Sequence, residues 1–177
     1  MELFSEYITE IGAVVFGLLL LWLLRKKKFS RHSHNQGKAK KILIKLRSFE
    51  GVNKEARIFA YLRKIDPFVF EELLLYCFED KGYKAIRNKR YTGDGGIDGK
   101  VINEDNELIL IQAKRYSGNI QLSHVKEFSE IVSRDRKASS GFFIHTGKTG
   151  KGVYSELSEN RNIKLYSGQK LIELVSA

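Results

Sequence analysis

The chain contains 177 residues, of which 42% are hydrophobic and 29% are charged. This balance supplies enough apolar side chains for a core and excludes an intrinsically disordered chain. The single cysteine, Cys77, excludes an internal disulfide and a CxxC metal site. The net charge of +10 is unevenly distributed, because residues 1–24 carry −3, residues 25–57 carry +10 and residues 58–177 carry +3.

The first element is an apolar run over residues 11–24 that contains no charged side chain. Extended back to residue 7, it approaches the roughly 17 to 20 residues that a membrane-spanning helix needs. A basic flank, residues 25–28, follows at once. A cleaved signal peptide is disfavoured because the N-terminus is acidic. The pattern therefore predicts an N-terminal transmembrane anchor over residues 1–24.

Positive flanks of a membrane span stay on the cytoplasmic side. The anchor would make the chain a single-pass protein of a bacterial-type inner membrane, with its N-terminus outside and its C-terminal domain in the cytoplasm. Residues 8–24 and the basic flank would contact the membrane. Residues 25–52 are predicted to be a basic linker, which suits anionic lipid headgroups or, alternatively, nucleic acid.

The next segment predicts two helices, over residues 53–65 and 67–81. In the second helix, apolar side chains recur on one face, and Gly82 suits the position just after a helix end. These apolar side chains are Phe70, Leu73, Leu74, Cys77 and Phe78. Glu71 borders this stripe, whereas Glu72 is expected to point further towards water.

The remaining segments alternate between strand and helix patterns. Strands are expected at residues 83–87, 97–102, 107–115, 141–145 and 163–166, and helices at residues 121–137, 153–160 and 169–175. A hairpin turn at residues 103–106 joins the second and third strands. This order predicts an α/β domain with a mixed sheet over residues 53–177.

Two short motifs contain the residues suited to catalysis. The first is the glycine-rich TGDGGIDG at residues 92–99, and the second is IQAKR at residues 111–115. Strand alternation places Gln112 and Lys114 on one face, and the expected hairpin would bring Asp98 near both. Oxygen ligands beside a lysine suit metal-dependent phosphodiester cleavage, because the cation neutralises charge in the transition state and the lysine orients the attacking water.

These two motifs belong to a longer pattern that resembles the catalytic domain of Mrr-type restriction endonucleases, within the PD-(D/E)xK nuclease superfamily. The pattern is FEELL…GY…GDGGIDG…IQAKRY. The resemblance covers a catalytic core over residues 66–175. It implies a restriction-endonuclease-like mixed β-sheet flanked by helices, here preceded by the transmembrane helix. It also implies double-stranded DNA as the substrate and Mg²⁺, or Mn²⁺, as the cofactor.

The resemblance assigns roles to individual residues. Asp98 would bind the metal, Gln112 would take the place of the usual second carboxylate, and Lys114 would be the catalytic lysine. Glu71 matches the helix glutamate of the family and would be a further metal ligand. Asp94 also matches a family position, where we expect a role in loop structure or in support of the metal ligands.

Several basic residues are candidates for nucleic-acid contacts, with solvated loop charges as the alternative interpretation. These candidates are Lys89, Arg90, Arg115, Lys148 and Lys151. Residues 146–152 are rich in glycine and lysine, but Phe142 occupies the position where a P-loop needs its first glycine. His124 and His145 belong to no nucleophile pattern and are expected to be structural.

These features predict a membrane-anchored, Mg²⁺-dependent, type IV-like restriction endodeoxyribonuclease, active in restriction-type defence or DNA processing. A non-catalytic nucleic-acid-binding module of the same fold is one alternative, which the neutral side chain of Gln112 keeps open. A membrane-surface interaction protein is the other alternative. Cleavage of both strands of a duplex would favour a homodimer, because the substrate is symmetric.

Overall fold

The computed structural model describes residues 2–88, 91 and 95–177, without the side chains of residues 2–10 and 25–30. The chain divides into two compact units, Met1–Gly37 and Lys38–Ala177. The first unit is part of a long helix, α1 (Glu2–Arg47), whose C-terminal end belongs to the second unit.

The predicted transmembrane anchor is wrong, and so is the placement in an inner membrane that depended on it. In the part of the chain whose side chains are described, no helix combines the length and the apolar character needed to cross a bilayer. The uncharged run, residues 11–24, has 14 residues. At about 1.5 Å per residue it reaches roughly 21 Å, against roughly 30 Å of hydrocarbon. The basic flank, residues 25–28, lies outside the described side chains.

The segment predicted as a basic linker is helical as far as Arg47. Its last turns bury Ala39, Leu43 and Leu46, which are at most 4% exposed. Their spacing of four and three residues places them on one helical face. They join the hydrophobic core of the second unit, while the lysines between them remain exposed.

The other helices and the strands of the described residues follow the predicted order. The helices are α2 (Lys54–Leu62), α3 (Pro67–Asp80), α4 (Leu122–Arg134), α5 (Lys151–Glu159) and α6 (Gly168–Ser176). The strands are β1 (Lys84–Ile86), β2 (Gly99–Ile102), β3 (Leu108–Lys114), β4 (Ala138–His145) and β5 (Ile163–Tyr166).

The strands form one mixed sheet in the order β1-β2-β3-β4-β5. The pairs β1–β2 and β2–β3 are antiparallel, whereas β3–β4 and β4–β5 are parallel. Helices follow β3, β4 and β5, so the predicted mixed α/β sheet is confirmed. Parallel strands all end at the same edge of a sheet, so the ends of β3 and β4 lie together, with Lys114 paired to His145.

Both faces of the sheet are covered by apolar side chains. On one face, Ile109 and Ile111 of β3 pack in a cluster with residues of α3 and α6. On the other face, Leu110 packs in a cluster with Phe128 of α4. This double coverage explains why β3 reads as a nearly continuous apolar run, because a strand that is buried on both faces has no solvent-facing positions to alternate with.

Helix α3 is fixed at both ends by local chemistry. The Asp66 carboxylate accepts hydrogen bonds from the backbone amides of Phe68 and Val69, over 2.9 and 3.3 Å, and Pro67 occupies the first turn. After the helix, Gly82 has φ +88°, the left-handed conformation in which glycine is unstrained. The chain then enters β1 directly.

Candidate functional site

The predicted hairpin between β2 and β3 is present and places Asp98 beside Gln112. Gly99 pairs with Ile111 in the antiparallel ladder. Asp98 lies just before this pair, and its backbone amide donates to the Ile111 carbonyl over 2.8 Å. The Asp98 carboxylate in turn accepts a hydrogen bond from the Ala113 amide over 2.7 Å. These bonds attach the half-buried carboxylate to β3 next to Gln112.

Gln112 is a buried polar residue, with 5% of its surface exposed. Its side-chain nitrogen donates to the carbonyl of Gly96 over 2.8 Å. The other end of the same amide, Oε1, is buried and finds no hydrogen-bond partner among the described residues. Buried polar atoms are nearly always partnered, so this oxygen is an acceptor that a ligand, an ion or a water molecule could use.

The close approach of Gly96 to Gln112 depends on glycine. Gly96 has φ +84°, and a Cβ built at this position would lie 3.0 Å from the Gln112 nitrogen. A larger residue would therefore be strained and would also press on the amide. Close packing against Gln112 therefore explains why the last position of the GDGG motif is a glycine. Of this motif, the structure describes the last two residues.

Lys114 ends β3 on the same face as Gln112, because the two are separated by two residues. Its side chain is half-buried. Within the described part of the chain, its ammonium group makes no hydrogen bond or ion pair. A partly buried lysine without an internal partner is available to a ligand or a reacting group.

Glu71 and Glu72 are neighbours on α3, and only Glu72 differs from the sequence prediction. Glu71 is half-exposed and has a partner of its own. Glu72, predicted to point towards water, is only 2% exposed. It is covered by Arg87, whose guanidinium lies 2.9 Å from its carboxylate, and by the hydroxyl of Tyr91 at 3.1 Å. The helical periodicity gave no sign of these two partners, which come from the segment after β1.

The described side chains contain no group of three His, Cys, Asp or Glu residues arranged to hold a metal ion. The described side chains do include the Asp98 carboxylate and the Gln112 oxygen, which has no partner among them. These two residues occupy neighbouring positions of the β2–β3 hairpin. Oxygen atoms are the ligands that Mg²⁺ and Mn²⁺ prefer. The residues present therefore fit a divalent cation with two protein oxygen ligands.

The basic candidates fall into three groups. Arg115 donates to the backbone carbonyls of Arg63 and Ile65, so its guanidinium joins the end of β3 to the connection between α2 and α3. Lys148 and Lys151 are exposed in and after the loop that follows β4. Lys89, Arg90 and Asp94 lie outside the described residues.

His145 is structural, as expected. It is fully buried, and its Nδ1 atom accepts a hydrogen bond from the Gly147 amide over 3.1 Å. Burial lowers the pKa of His145 to about 4, so the ring is neutral at physiological pH. His124 contacts the hydroxyl of Tyr116 through its Nδ1 atom.

Two solved structures share this fold. One is the MspJI restriction endonuclease in complex with a 27-mer oligonucleotide, with a TM-score of 0.54, 21% identity, and coverage of 73% of this chain and 33% of that chain. The other is the DNA modification-dependent restriction endonuclease AspBHI, with a TM-score of 0.54, 20% identity, and coverage of 72% and 36%. The present chain thus spans about a third of each of these proteins.

Among curated proteins, no sequence matches this chain. Residues 62–175 match the sequence profile of the restriction endonuclease family defined by the Mrr catalytic domain. This match covers more than half of the chain and includes the hairpin with Asp98, Gln112 and Lys114. The chain therefore belongs to the Mrr catalytic-domain family of restriction endonucleases.

Proposed function

We propose that this chain hydrolyses phosphodiester bonds of double-stranded DNA with a divalent cation bound at the β2–β3 hairpin. The observation that carries the proposal is the buried oxygen of Gln112, which has no partner among the described residues, on the same hairpin as the Asp98 carboxylate. Lys114 lies on the same strand face as Gln112, and its ammonium group is likewise unpaired within the described residues. Family membership supports the reaction class, and the oxygen atoms support the cofactor.

Each residue of the site has a separate proposed role. Asp98 and Gln112 hold Mg²⁺ or Mn²⁺, and Glu71 is proposed as a further ligand from α3. The cation, when bound, neutralises charge on the phosphate in the transition state. Lys114 holds the attacking water close to the phosphorus and stabilises its deprotonated form. Because Gln112 is neutral, the site holds the cation with less negative charge than a pair of carboxylates would.

The DNA backbone would contact basic side chains at the sheet edge where β3 and β4 end. Lys148 and Lys151 are exposed there, close in sequence to His145, which pairs with Lys114. Such contacts position a duplex without reading its sequence. Arg115, with Lys89 and Arg90, is proposed to add to this surface, and two copies of the chain would cut the two strands.

The biological role that fits this activity is type IV-like restriction or DNA processing. A non-catalytic nucleic-acid-binding module remains the second candidate, and the neutral Gln112 favours it. The two candidates differ in one property, since only the nuclease needs the ammonium group of Lys114 for a chemical step.

The experiment compares the full chain with Lys114→Ala on supercoiled plasmid, with Mg²⁺, with Mn²⁺ and with EDTA. The matched control is Lys137→Ala, because Lys137 is exposed next to Ala138, at the opposite edge of the sheet. We expect metal-dependent cleavage by the wild type and by Lys137→Ala, and a loss on the order of 100-fold in Lys114→Ala. Binding of plasmid without cleavage by the wild type would favour the non-catalytic module.

A further inference from the structure

Helix α3 carries two carboxylates that face the segment leading to Asp98. Glu72 and Glu79 are seven residues apart, so they lie on one face of the helix. Glu72 is the more buried, with 2% of its surface exposed. A carboxylate buried to this degree is stable only when its oxygens are hydrogen-bonded and its charge is balanced.

Arg87, which follows β1 directly, balances the charge. Its Nε donates to one Glu72 oxygen over 2.9 Å, and its two terminal nitrogens donate to Glu79 over 2.7 and 2.9 Å. The guanidinium also lies 4.7 Å from the centre of the Tyr76 ring. Hydrogen bonds to Glu79, and secondarily to Glu72, raise the pKa of Arg87 above its ordinary value. The start of the segment is therefore firmly attached to α3.

Tyr91 attaches the same segment a second time. Its hydroxyl donates to the other oxygen of Glu72 over 3.1 Å. Its ring lies against Phe68, with 4.6 Å between the ring centres. Each oxygen of Glu72 thus accepts from a different residue of the segment, and Glu72 holds Arg87 and Tyr91 at a fixed separation.

Asn88 lies between these two attachment points in the sequence and contacts the backbone just before Asp98. Its side-chain amide donates to the carbonyl of Ile97, the residue before Asp98. The Asp98 carboxylate then reaches the Ala113 amide on β3. Glu72 is therefore linked to the backbone before Asp98 through Arg87, its chain neighbour Asn88 and the hydrogen bond from Asn88 to Ile97.

We propose that Glu72 is a positioning residue that fixes the backbone before Asp98 and thereby directs the Asp98 carboxylate. The expected effect of Glu72 on DNA cleavage rests on the proposed function. Its effect on the position of Asp98 does not. Its two oxygens accept from Arg87 and Tyr91, so in this arrangement Glu72 acts through these residues.

The variant that tests this proposal is Tyr91→Phe in the full chain. It removes only the hydroxyl that donates to Glu72 and keeps the ring that packs on Phe68. Small misplacements of a catalytic group reduce turnover steeply, so we expect kcat to fall about tenfold while KM for plasmid changes less than about twofold. Tyr154→Phe is the matched control, because Tyr154 is 58% exposed on α5.

A second measurement needs neither metal nor DNA. Hydrogen exchange of the Ala113 amide reports the position of the Asp98 carboxylate that accepts from it. We expect faster exchange of this amide in Tyr91→Phe, and no change at Ile109 in the same strand. Glu72→Gln should largely preserve the wild-type exchange, because an amide can accept from Arg87 and donate to the oxygen of Tyr91, whereas Glu72→Leu should not.

The two measurements separate the inference from the proposed function. Slower turnover together with faster Ala113 exchange in Tyr91→Phe would support the positioning role. Unchanged Ala113 exchange would overturn it, and so would unchanged kcat in an active enzyme. If the wild type shows no metal-dependent cleavage, the proposed function fails, yet the exchange experiment still decides whether Glu72 positions Asp98. If Glu72→Leu does not fold, Tyr91→Phe alone decides the question.

Discussion

The side-chain nitrogen of Gln112 donates a hydrogen bond to the backbone carbonyl of Gly96 over 2.8 Å. This bond determines the orientation of the amide and leaves its oxygen buried without a partner among the described residues. An unsatisfied buried acceptor costs about 1–3 kcal/mol. In the proposed site, a cation bound to that oxygen and to Asp98 would offset this cost, and the glycine-rich loop and the cation would then depend on each other.

Replacement of Gly96 tests the loop side of this relationship. Gly96→Ala would place a Cβ in a backbone conformation with φ +84° and 3.0 Å from the Gln112 nitrogen. We expect a loss of about 1–3 kcal/mol in the free energy of unfolding, measured by urea denaturation, and weaker cleavage. Gly118→Ala is the control, because nothing lies within 4 Å of a Cβ there and its φ is not positive. Equal effects of the two variants would contradict the steric account.

Replacement of Gln112 tests the metal side. Gln112→Glu removes the hydrogen bond to Gly96 and adds a charge beside Asp98, so in EDTA the variant should lose about 1–3 kcal/mol of stability. Added Mg²⁺ should reduce this deficit, because a carboxylate is a stronger ligand than an amide. Gln169→Glu, at an exposed position of α6, is the control. A deficit of the same size with and without Mg²⁺ would argue against a cation at Gln112.

His145 predicts a specific dependence of stability on pH. Burial lowers its pKa from 6.5 to about 4 in the folded chain. Between these two values the unfolded chain binds a proton that the folded chain does not, so stability is lost as pH falls from 6.5 to about 4 and this contribution is constant below. Urea denaturation across this range should give a flatter pH dependence for His145→Gln than for the wild type. If the free energy of unfolding changed equally with pH in both proteins, burial of His145 would not account for the pH dependence.

Local periodicity was sufficient to predict the site hairpin. The alternation of Gln112 and Lys114, and the turn at residues 103–106, place Asp98 beside β3 without knowledge of the rest of the fold. A two-strand hairpin is determined by neighbouring residues alone, which explains this success. The roles of Asp98, Gln112, Lys114 and Glu71 remain predictions.

The burial of Glu72 could not be predicted, because it depends on residues far along the chain. A helical projection of α3 places Glu72 away from the stripe of Phe70 and Leu74, but Arg87 and Tyr91 cover it from outside the helix. The available signal in the sequence is the spacing of Glu72 and Glu79 on one helical face, with Arg87 directly after the next strand.

The N-terminal segment differs from the sequence prediction for a related reason. Composition alone separates residues 11–24 from the basic residues that follow, and this pattern predicts an anchor and a solvated basic linker. The structure instead continues α1 through Arg47, and the stripe of Ala39, Leu43 and Leu46 packs into the core. Three apolar residues on one face are enough to attach a helix, even where lysines dominate its composition.

The central claim, a cation held by Asp98 that drives DNA cleavage, is tested most directly by Asp98→Asn. This change keeps the shape of the side chain and its acceptor for the Ala113 amide but removes the negative charge. The measurement is the initial rate of plasmid cleavage by the full chain at increasing Mg²⁺, with plasmid binding measured in parallel. The account predicts a loss of at least about 100-fold in rate with binding preserved. Cleavage by Asp98→Asn at the wild-type rate and the wild-type Mg²⁺ dependence would contradict it.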